Sequence, residues 1–222
     1  MNAVIIGANR GIGLGLVRRY LENGWNVWGV CRSQSKDLEA LGGHENLEII
    51  SGIDVTKEKH REQLRKQLPN DIKQLIHNAG ILRKDSLADL SEENILEQFV
   101  VNALSPLQTL QKLHSKVLAG GKIGIITSRM GSIADNTSGG MYGYRMSKAA
   151  VNMAGMGLAQ ELRSSEVGVF LLHPGYVQTD MTGGRGYISV EKSSTGLYQK
   201  MQELSLTETG SFWHTDGSQL IW

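Results

Sequence analysis

Short apolar runs alternate with stretches of helical spacing along the whole chain. Most of the apolar runs lack the strict polar alternation of a half-exposed strand, so they predict strands buried on both faces. These strands are predicted at residues 2–6, 25–30, 47–50, 72–77, 122–127, 167–173 and around Phe212. Helices are predicted between them at residues 11–23, 57–68, 92–118, 144–164 and 190–204. The alternation predicts an α/β fold with a single doubly wound parallel sheet of about seven strands and helices on both faces.

A glycine-rich turn joins the first predicted strand to the first predicted helix. Its glycines follow the spacing G-x-x-x-G-x-G. Glycines let the backbone approach a pyrophosphate, and the helix N-terminus offers free N–H groups at the positive end of its dipole. The turn predicts a dinucleotide site in a Rossmann-type fold, and a plain tight turn is the alternative. The candidate cofactor contacts in this turn are Gly7, Asn9, Arg10, Gly11, Ile12 and Gly13.

The residues after the second strand predict which dinucleotide is bound. A carboxylate there would bond the ribose 2′-hydroxyl of NAD and repel a 2′-phosphate. Here the chain reads Val30-Cys31-Arg32-Ser33, with no acid. Arg32 and Arg10 would together form a guanidinium clamp on a 2′-phosphate. We therefore expect NADP(H) as the cofactor, against the alternative of two solvated surface arginines.

A tyrosine and a lysine stand four residues apart in the predicted helix 144–164. Positions i and i+4 share one face of a helix, so Tyr144 and Lys148 should lie side by side. An ammonium beside a phenol favours the phenolate, so we expect the pKa of Tyr144 to lie below its usual value of about 10. Such a phenol can give a proton to a carbonyl oxygen near neutral pH.

Composition excludes several classes of protein. The 222 residues predict a single domain over 1–222, and the formal net charge of +1 gives no electrostatic footprint for nucleic acid or an anionic membrane. Cys31 is the only cysteine, so no intrachain disulfide forms. The first residues lack the pattern of a secretory leader, and no apolar run approaches 18 residues. We expect a cytoplasmic protein that binds neither nucleic acid nor membrane.

Several motifs occur in a fixed order along the chain. The glycine turn is followed by Asn78-Ala79-Gly80, Ser128, Tyr144-x-x-x-Lys148 and Pro174-Gly175. In this order the chain resembles the short-chain dehydrogenase/reductase family, and more narrowly its short branch of C-factor-like proteins and sniffer-type carbonyl reductases. The resemblance covers essentially the whole chain.

The resemblance implies a role for each motif. Tyr144 would be the proton donor, Ser128 would orient the substrate oxygen, and Lys148 would hold the nicotinamide ribose and lower the pKa of the tyrosine. Asn102 would hold a water that links Lys148 to solvent. The other implied cofactor contacts are Asp54 and Val55 at the adenine, Asn78, Ala79 and Gly80 along the adenosine half, and Pro174, Gly175, Val177 and Thr179 beside the nicotinamide.

Some neighbouring residues compete for these roles. Ser132 competes with Ser128, but Ser128 directly ends the fifth strand, where the sheet edge faces the cofactor. Tyr142 competes with Tyr144 but has no lysine four residues on. Ile6 departs from the family, which usually has threonine there to tie the glycine turn to the Asn78 region. Losing that bond should cost about 1 kcal/mol without affecting the chemistry.

Pro106 lies inside the predicted long helix. Because proline has no N–H, the carbonyl of Asn102 loses its helical partner. That carbonyl would be able to hold the relay water, and a simple kink that improves packing is the alternative.

Two histidines, His77 and His173, end the fourth and sixth strands. No carboxylate or thiol stands at metal-ligand spacing from either, so we expect hydrogen-bonded histidines and no metal site.

The helix that begins at Tyr144 is apolar and small nearly all round, and the sheet covers only one face of it. The other face needs a partner, and an internal neighbour such as the long helix is the alternative. The resemblance implies a homodimer or homotetramer, because these two helices commonly form the dimer interface in the family. The Gly/Ser/Thr-rich segment over about 179–196 predicts a substrate loop at the carboxyl edge of the sheet.

The leading hypothesis is an NADP-dependent oxidoreductase that transfers a hydride between NADPH and an aldehyde, ketone or quinone. The alternative is a dinucleotide-binding regulatory protein of the C-factor type with little turnover. A dehydratase or epimerase of the same fold would usually have a longer substrate region than 222 residues provide.

Overall fold

Seven parallel strands form one sheet at the centre of the molecule. The computed structural model describes residues 1–222. The strands are β1 Asn2–Ile6, β2 Asn26–Val30, β3 Leu47–Ile50, β4 Ile72–His77, β5 Val117–Ile126, β6 Gly168–His173 and β7 Phe212–His214. They lie in the order β3-β2-β1-β4-β5-β6-β7. The strand order reverses between β1 and β4, which opens a crevice at the carboxyl ends of the strands.

Helices cover both faces of this sheet. They are α1 Gly11–Glu22, α2 Lys36–Glu39, α3 Glu58–Gln67, α4 Glu92–Phe99, α5 Ser105–Leu113, α6 Tyr142–Leu162 and α7 Val190–Glu203. Successive strand residues point to opposite faces, so Val4 and Ile6 pack with α3, α5 and α6, while Ala3 and Ile5 pack with α1 and α7. The predicted doubly wound α/β sheet is confirmed.

The region between α5 and β5 differs most from the prediction. The helix ends at Leu113 instead of continuing to residue 118, and β5 begins at Val117 instead of residue 122. Gly120 has a φ of +69°, and the pairing of β5 with β4 shifts register across this stretch. This irregularity, a β-bulge, interrupts the apolar pattern of β5. The sequence pattern therefore did not indicate where the strand begins. The short helix α2, capped by Ser35, was not predicted.

The predicted long helix is interrupted just before Pro106. Residues Val100–Leu104 form a π-helical turn, and Ser105 places both its backbone N–H and its hydroxyl on the carbonyl of Val100. Because Pro106 has no N–H to donate to the carbonyl of Asn102, the chain takes up an extra residue in a wider turn. Asn102 stays buried at this turn.

The outer face of α6 is apolar, as expected, but it is not covered within the chain. Met146 and Met153 are 55% and 74% exposed. Phe99, Leu104 and Leu107, in and between α4 and α5, are also exposed. No helix is both long enough and apolar enough to cross a membrane.

Candidate active site

A cavity of about 1280 Å³ lies at the carboxyl ends of β1, β2 and β4. It occupies the crevice where the strand order reverses. Most of the predicted cofactor contacts line it, namely Gly7, Asn9, Arg10, Gly11, Ile12, Arg32, Asp54, Val55, Asn78, Ala79, Gly80 and Thr179. Gly13, Pro174, Gly175 and Val177 do not line it, nor do the four candidate catalytic residues.

The glycine turn is shaped by two close approaches. Gly7 has a φ of +87°, and a Cβ on it would lie 2.8 Å from the backbone nitrogen of Ala79. A Cβ on Gly13 would lie 1.9 Å from the carbonyl oxygen of Gly7. Arg10 precedes α1 in an extended conformation and gives its N-terminus no side-chain cap. The turn and the uncapped helix start therefore fit the pyrophosphate of a dinucleotide.

Asn78 ties this turn to the end of β4. Its side-chain Nδ2 donates to the carbonyl of Gly7 at 2.9 Å, and its backbone N–H donates to the carbonyl of Ile6 at 2.9 Å. These two bonds anchor the turn although Ile6 has no hydroxyl.

The predicted guanidinium clamp is only partly assembled. Arg32 lines the cavity, but Arg10 pairs with Asp180 at 3.0 Å, with both side chains more than two-thirds exposed. Asp37 of α2 also lines the cavity, and sequence reasoning missed it because α2 itself was not predicted. The carboxylate of Asp37 would repel a 2′-phosphate bound near Arg32.

Asp54 is the acid expected at the adenine. Burial raises its pKa, but hydrogen bonds from Thr56 and the charges of Arg32 and Lys57 outweigh burial and leave the pKa below its usual value. Asp54 is therefore ionised at neutral pH and accepts from the Thr56 hydroxyl at 2.7 Å.

The candidate catalytic side chains meet beneath the cavity. Tyr144, Lys148, Ser128 and Asn102 are all buried. A Cβ on Gly80 would lie 3.7 Å from Lys148 Nζ and 3.2 Å from Asn102 Oδ1. Gly80 also lines the cavity, so Lys148 and Asn102 lie directly behind the cavity wall at this residue.

Asn102 holds two segments together with its side chain. Its Oδ1 accepts from the N–H of Ile81 at 2.8 Å, and its Nδ2 donates to the carbonyl of Ile81 at 2.9 Å and to Ser147 Oγ at 3.0 Å. The amide thus joins the loop after β4 to α6.

The pKa of Tyr144 differs from the expectation. Burial raises the pKa of Tyr144 to about 12, and a hydrogen bond with Ser128 opposes that rise only in part. Lys148 Nζ donates to the carbonyl of Ile126 at 3.1 Å and lies 5.7 Å from the centroid of the tyrosine ring. Burial also lowers the pKa of Lys148 to about 8. The expected lowering is absent because the ammonium is held by a carbonyl and both groups are desolvated.

The two competing residues lie elsewhere. Ser132 Oγ accepts from the N–H of Asp135 and Ser128 Oγ from the N–H of Met130, both at 3.1 Å, so each stabilises the loop after β5. Only Ser128 also acts on Tyr144, whose pKa it lowers. Tyr142 is exposed, while Tyr144 is buried.

The residues expected beside the nicotinamide follow β6. Thr179 lies against the glycine turn, because a Cβ on Gly11 would be 3.3 Å from its Cγ2. The carbonyl of Pro174 accepts from Ser193 Oγ at 2.7 Å, and Val177 is buried. The predicted loop is shorter than expected, since residues 190–196 already belong to α7.

His77 is buried and His173 is partly buried, and the hydrogen bonds expected for His77 are absent. Burial lowers the pKa of His77 to about 3, and both its ring nitrogens lack a hydrogen-bond partner. His173 packs edge-on against His214 at 5.0 Å between ring centroids. No group of three or more His, Cys, Asp or Glu side chains lies together in a way that would hold a metal ion.

Sequence comparison finds a matching family model and two relatives with 37% identity. Residues 1–186 match the family model described as short chain dehydrogenase. The chain is 37% identical over 226 residues to 1-hydroxy-2-glutathionyl-2-methyl-3-butene dehydrogenase of Rhodococcus sp. (strain AD45), covering 99% of this chain and 98% of that protein. It is also 37% identical over 151 residues to C-signal of Myxococcus xanthus, covering 67% of this chain and 91% of that protein.

The chain is also similar to solved structures of carbonyl reductases. The carbonyl reductase Sniffer of D. melanogaster matches with a TM-score of 0.91 and 28% identity, covering 100% of this chain and 99% of that chain. An NADPH-bound carbonyl reductase from chicken fatty liver matches with a TM-score of 0.90 and 28% identity, covering 100% of this chain and 98% of that chain. These matches confirm the resemblance drawn from the order of the motifs.

Proposed function

Because the chain belongs to the short-chain dehydrogenase/reductase family, we propose that it is an NADP-dependent carbonyl reductase. It transfers a hydride between NADPH and an aldehyde, ketone or quinone, with Tyr144 as proton donor. The observation that carries this proposal is the grouping of Tyr144 with Ser128 and Lys148, because Lys148 Nζ also lies close to Gly80, which lines a cavity that fits a dinucleotide.

The cofactor, when bound, supplies the hydride. The residues of this chain handle the proton and the substrate oxygen. Ser128 orients the carbonyl oxygen toward the Tyr144 phenol, which donates its proton as the oxygen becomes an alkoxide. Lys148 holds ribose hydroxyls, and its charge stabilises the phenolate that is left. In the bare protein burial holds the pKa of this phenol at about 12, and Lys148 Nζ donates to the Ile126 carbonyl.

The proton is then replaced from solvent through the interior. Both N–H groups of the Asn102 side chain and one acceptor site of its oxygen are taken by Ile81 and Ser147, and we place the relay water on the backbone carbonyl of Asn102. Pro106 supports this placement, because it has no N–H with which to occupy that carbonyl.

Arg32 and Arg10 favour NADP over NAD in this proposal. We expect NADPH to bind at least about tenfold more tightly than NADH, since charge-assisted contacts contribute about 1.5–3 kcal/mol each. Calorimetric titration of both cofactors tests this, and Arg32→Asp should narrow or invert the preference. Equal affinities of the wild type would remove the arginine pair from the proposal.

The substrate is tested by a panel of aldehydes, ketones and quinones with NADPH, followed by alcohols with NADP⁺. The alcohol arm includes glutathione thioethers that carry a hydroxyl, because the Rhodococcus relative is named for such a compound. Carbonyl turnover that is lost in Tyr144→Phe is the expected result. Turnover unchanged in Tyr144→Phe would contradict the proposal.

The second candidate function is a regulatory protein that binds the dinucleotide and turns over little. The similarity to C-signal favours it. Tight NADPH binding by the wild type, with no turnover across the panel, would support this candidate over the enzyme.

A homodimer or homotetramer completes the proposal. Met146 and Met153 of α6 are exposed, and a second subunit would bury this apolar face. Light scattering should show a dimer or tetramer at micromolar concentration, and a monomer would contradict this part.

A further inference from the structure

The helix that carries Tyr144 and Lys148 begins without a cap of its own. The residue at its N-cap position is Met141, whose side chain makes no capping hydrogen bond. The first turn contains no acid. Met141 has a φ of +53°, and Gly139 and Gly140 before it have φ values of +63°. This left-handed entry is strained for a non-glycine residue, so something outside α6 must hold it in place.

Asp85 supplies the missing cap from a different part of the chain. Its carboxylate accepts the N–H of Tyr142 at Oδ1 and the N–H of Gly143 at Oδ2, the latter at 2.9 Å. Its backbone carbonyl accepts the N–H of Met141 at 3.1 Å. Three successive N–H groups therefore end on one residue, and the next residue in the helix is Tyr144. A carboxylate at a helix N-terminus also interacts favourably with the helix dipole.

The fit between Asp85 and the helix start is close. A Cβ on Gly143 would lie 3.1 Å from Asp85 Oδ2 and 2.6 Å from Gln98 Nε2. From the other side, Arg145 donates to the carbonyl of Gly140 at 3.0 Å and to Ser138 Oγ at 2.8 Å. The first turn of α6 is thus clamped on both sides of Tyr144.

The segment that carries Asp85 also reaches the cavity. Ile81 and Arg83 line the cavity, and Ile81 is bonded to Asn102. The N–H of Arg83 donates to Gln98 Oε1 at 2.8 Å, and Asp85 follows two residues later. One short segment therefore contacts the cofactor side at one end and the catalytic helix at the other.

We propose that Asp85 is a positioning residue, whose carboxylate sets the place of the Tyr144 hydroxyl by capping α6 from the loop after β4. This rests on the function proposed above. Asp85 lies outside the cavity and does not touch the reacting atoms in this proposal; it acts through Tyr144.

The kinetic test compares three variants in the complete protein. Asp85→Ala should lower kcat for carbonyl reduction at least about tenfold, because small misplacements of a catalytic group cost one to two orders of magnitude. The Kd of NADPH and the KM of the substrate should stay within about twofold, since no ligand contact is lost. Asp85→Asn keeps one of the two acceptor oxygens and should have a kcat between those of Asp85→Ala and the wild type.

The matched control is Ser91→Ala. Ser91 caps α4 by accepting the N–H of Asn94 at 3.2 Å, and α4 packs beside α6. This variant loses a helix cap without touching the start of α6, so its kcat should equal that of the wild type. Equal losses in Asp85→Ala and Ser91→Ala, or wild-type kcat in folded Asp85→Ala, would overturn the proposal. If Asp85→Ala does not fold, Asp85→Ser takes its place with the same expected order of kcat values.

A second readout does not depend on turnover. The six tyrosines are labelled with ¹³C at Cζ, and the Tyr144 signal is assigned by its loss in Tyr144→Phe. In bare Asp85→Ala the Tyr144 signal should move or broaden while that of the buried Tyr20 stays, and in Ser91→Ala neither should change. An unchanged Tyr144 signal overturns the positioning role. If the wild type turns over no carbonyl, the proposed function fails, and this measurement still decides the role of Asp85.

Discussion

The cofactor half and the catalytic half of the candidate site are built from different parts of the chain. In the cofactor half the shape comes from backbone, because Gly7 and Gly13 approach their neighbours too closely for any side chain. Its charged pair, Arg10 and Asp180, is exposed to solvent. In the catalytic half Tyr144 and Lys148 are buried among hydrogen-bonded side chains. The cofactor half therefore depends on glycines, which have no side chain, and on charges that solvent screens. The catalytic half depends on which buried polar side chains are present.

The largest expected effect tests the catalytic half. Tyr144→Phe removes the acidic hydroxyl and keeps the ring, so kcat should fall by roughly 10²–10⁴-fold, the usual contribution of a positioned general acid. NADPH binding should survive, because the substitution leaves Lys148 and the glycine turn, which hold the cofactor in this proposal, unchanged. Tyr142→Phe is the matched control, since Tyr142 lies two residues away and is exposed. Equal kcat values for the two variants would remove Tyr144 from the chemistry.

Desolvation of the catalytic half should also appear in the pH dependence of stability. The pKa of Lys148 is about 8 in the folded protein, against 10.5 in an exposed lysine. Between these values the unfolded chain binds a proton that the folded chain has released, so the free energy of unfolding rises with pH. The pKa of Tyr144 is raised from 10 to about 12, so the folded chain keeps a proton there and stability falls across that range.

Urea unfolding at several pH values measures this. The Lys148 contribution should amount to at most about 3.5 kcal/mol between pH 8 and 10.5, at about 1.4 kcal/mol per pKa unit. Lys148→Met should lack the rise, and Tyr144→Phe should lack the fall above pH 10. A Lys148→Met variant with the wild-type slope would mean that the lysine is hydrated in the folded protein.

Features that depend on local spacing could be predicted from the sequence, whereas features that depend on contacts between distant segments could not. The strands, the glycine turn and the Tyr144–Lys148 pair follow from local spacing, and spacing is visible in a single chain. The bulge at Gly120 and the pairing of Arg10 with Asp180 depend on contacts between distant segments. The pKa of Tyr144 was expected on the wrong side of its usual value because adjacency on a helix says nothing about burial or about the carbonyl that holds Lys148.

The backbone-built half is tested by a pair of glycines with similar conformations. Gly7 and Gly24 both have positive φ, but a Cβ on Gly24 meets nothing within 4 Å. Gly24→Ala should lower the free energy of unfolding by about 1 kcal/mol through backbone strain alone, with the Kd of NADPH unchanged.

Gly7→Ala should cost a further 1–3 kcal/mol or so, the usual effect of overpacking, and weaken NADPH binding more than about tenfold. The reason is that the turn must move away from Ala79. Chemical unfolding and calorimetric titration of both variants decide the matter, and similar losses for the two would contradict the close approach at Gly7.

The smallest expected effect concerns the exposed charges of the cofactor half. Asp180→Asn removes the partner of Arg10 and leaves the guanidinium free to meet a 2′-phosphate. An exposed ion pair contributes at most about 1 kcal/mol, so the affinity for NADPH should rise by no more than about fivefold. The gain should shrink at high salt, because exposed charges are screened. NADH lacks the 2′-phosphate, and its affinity should not change. An equal gain for NADH would mean that Asp180 repels the pyrophosphate common to both cofactors, and Arg10 would then have no part in the choice between them.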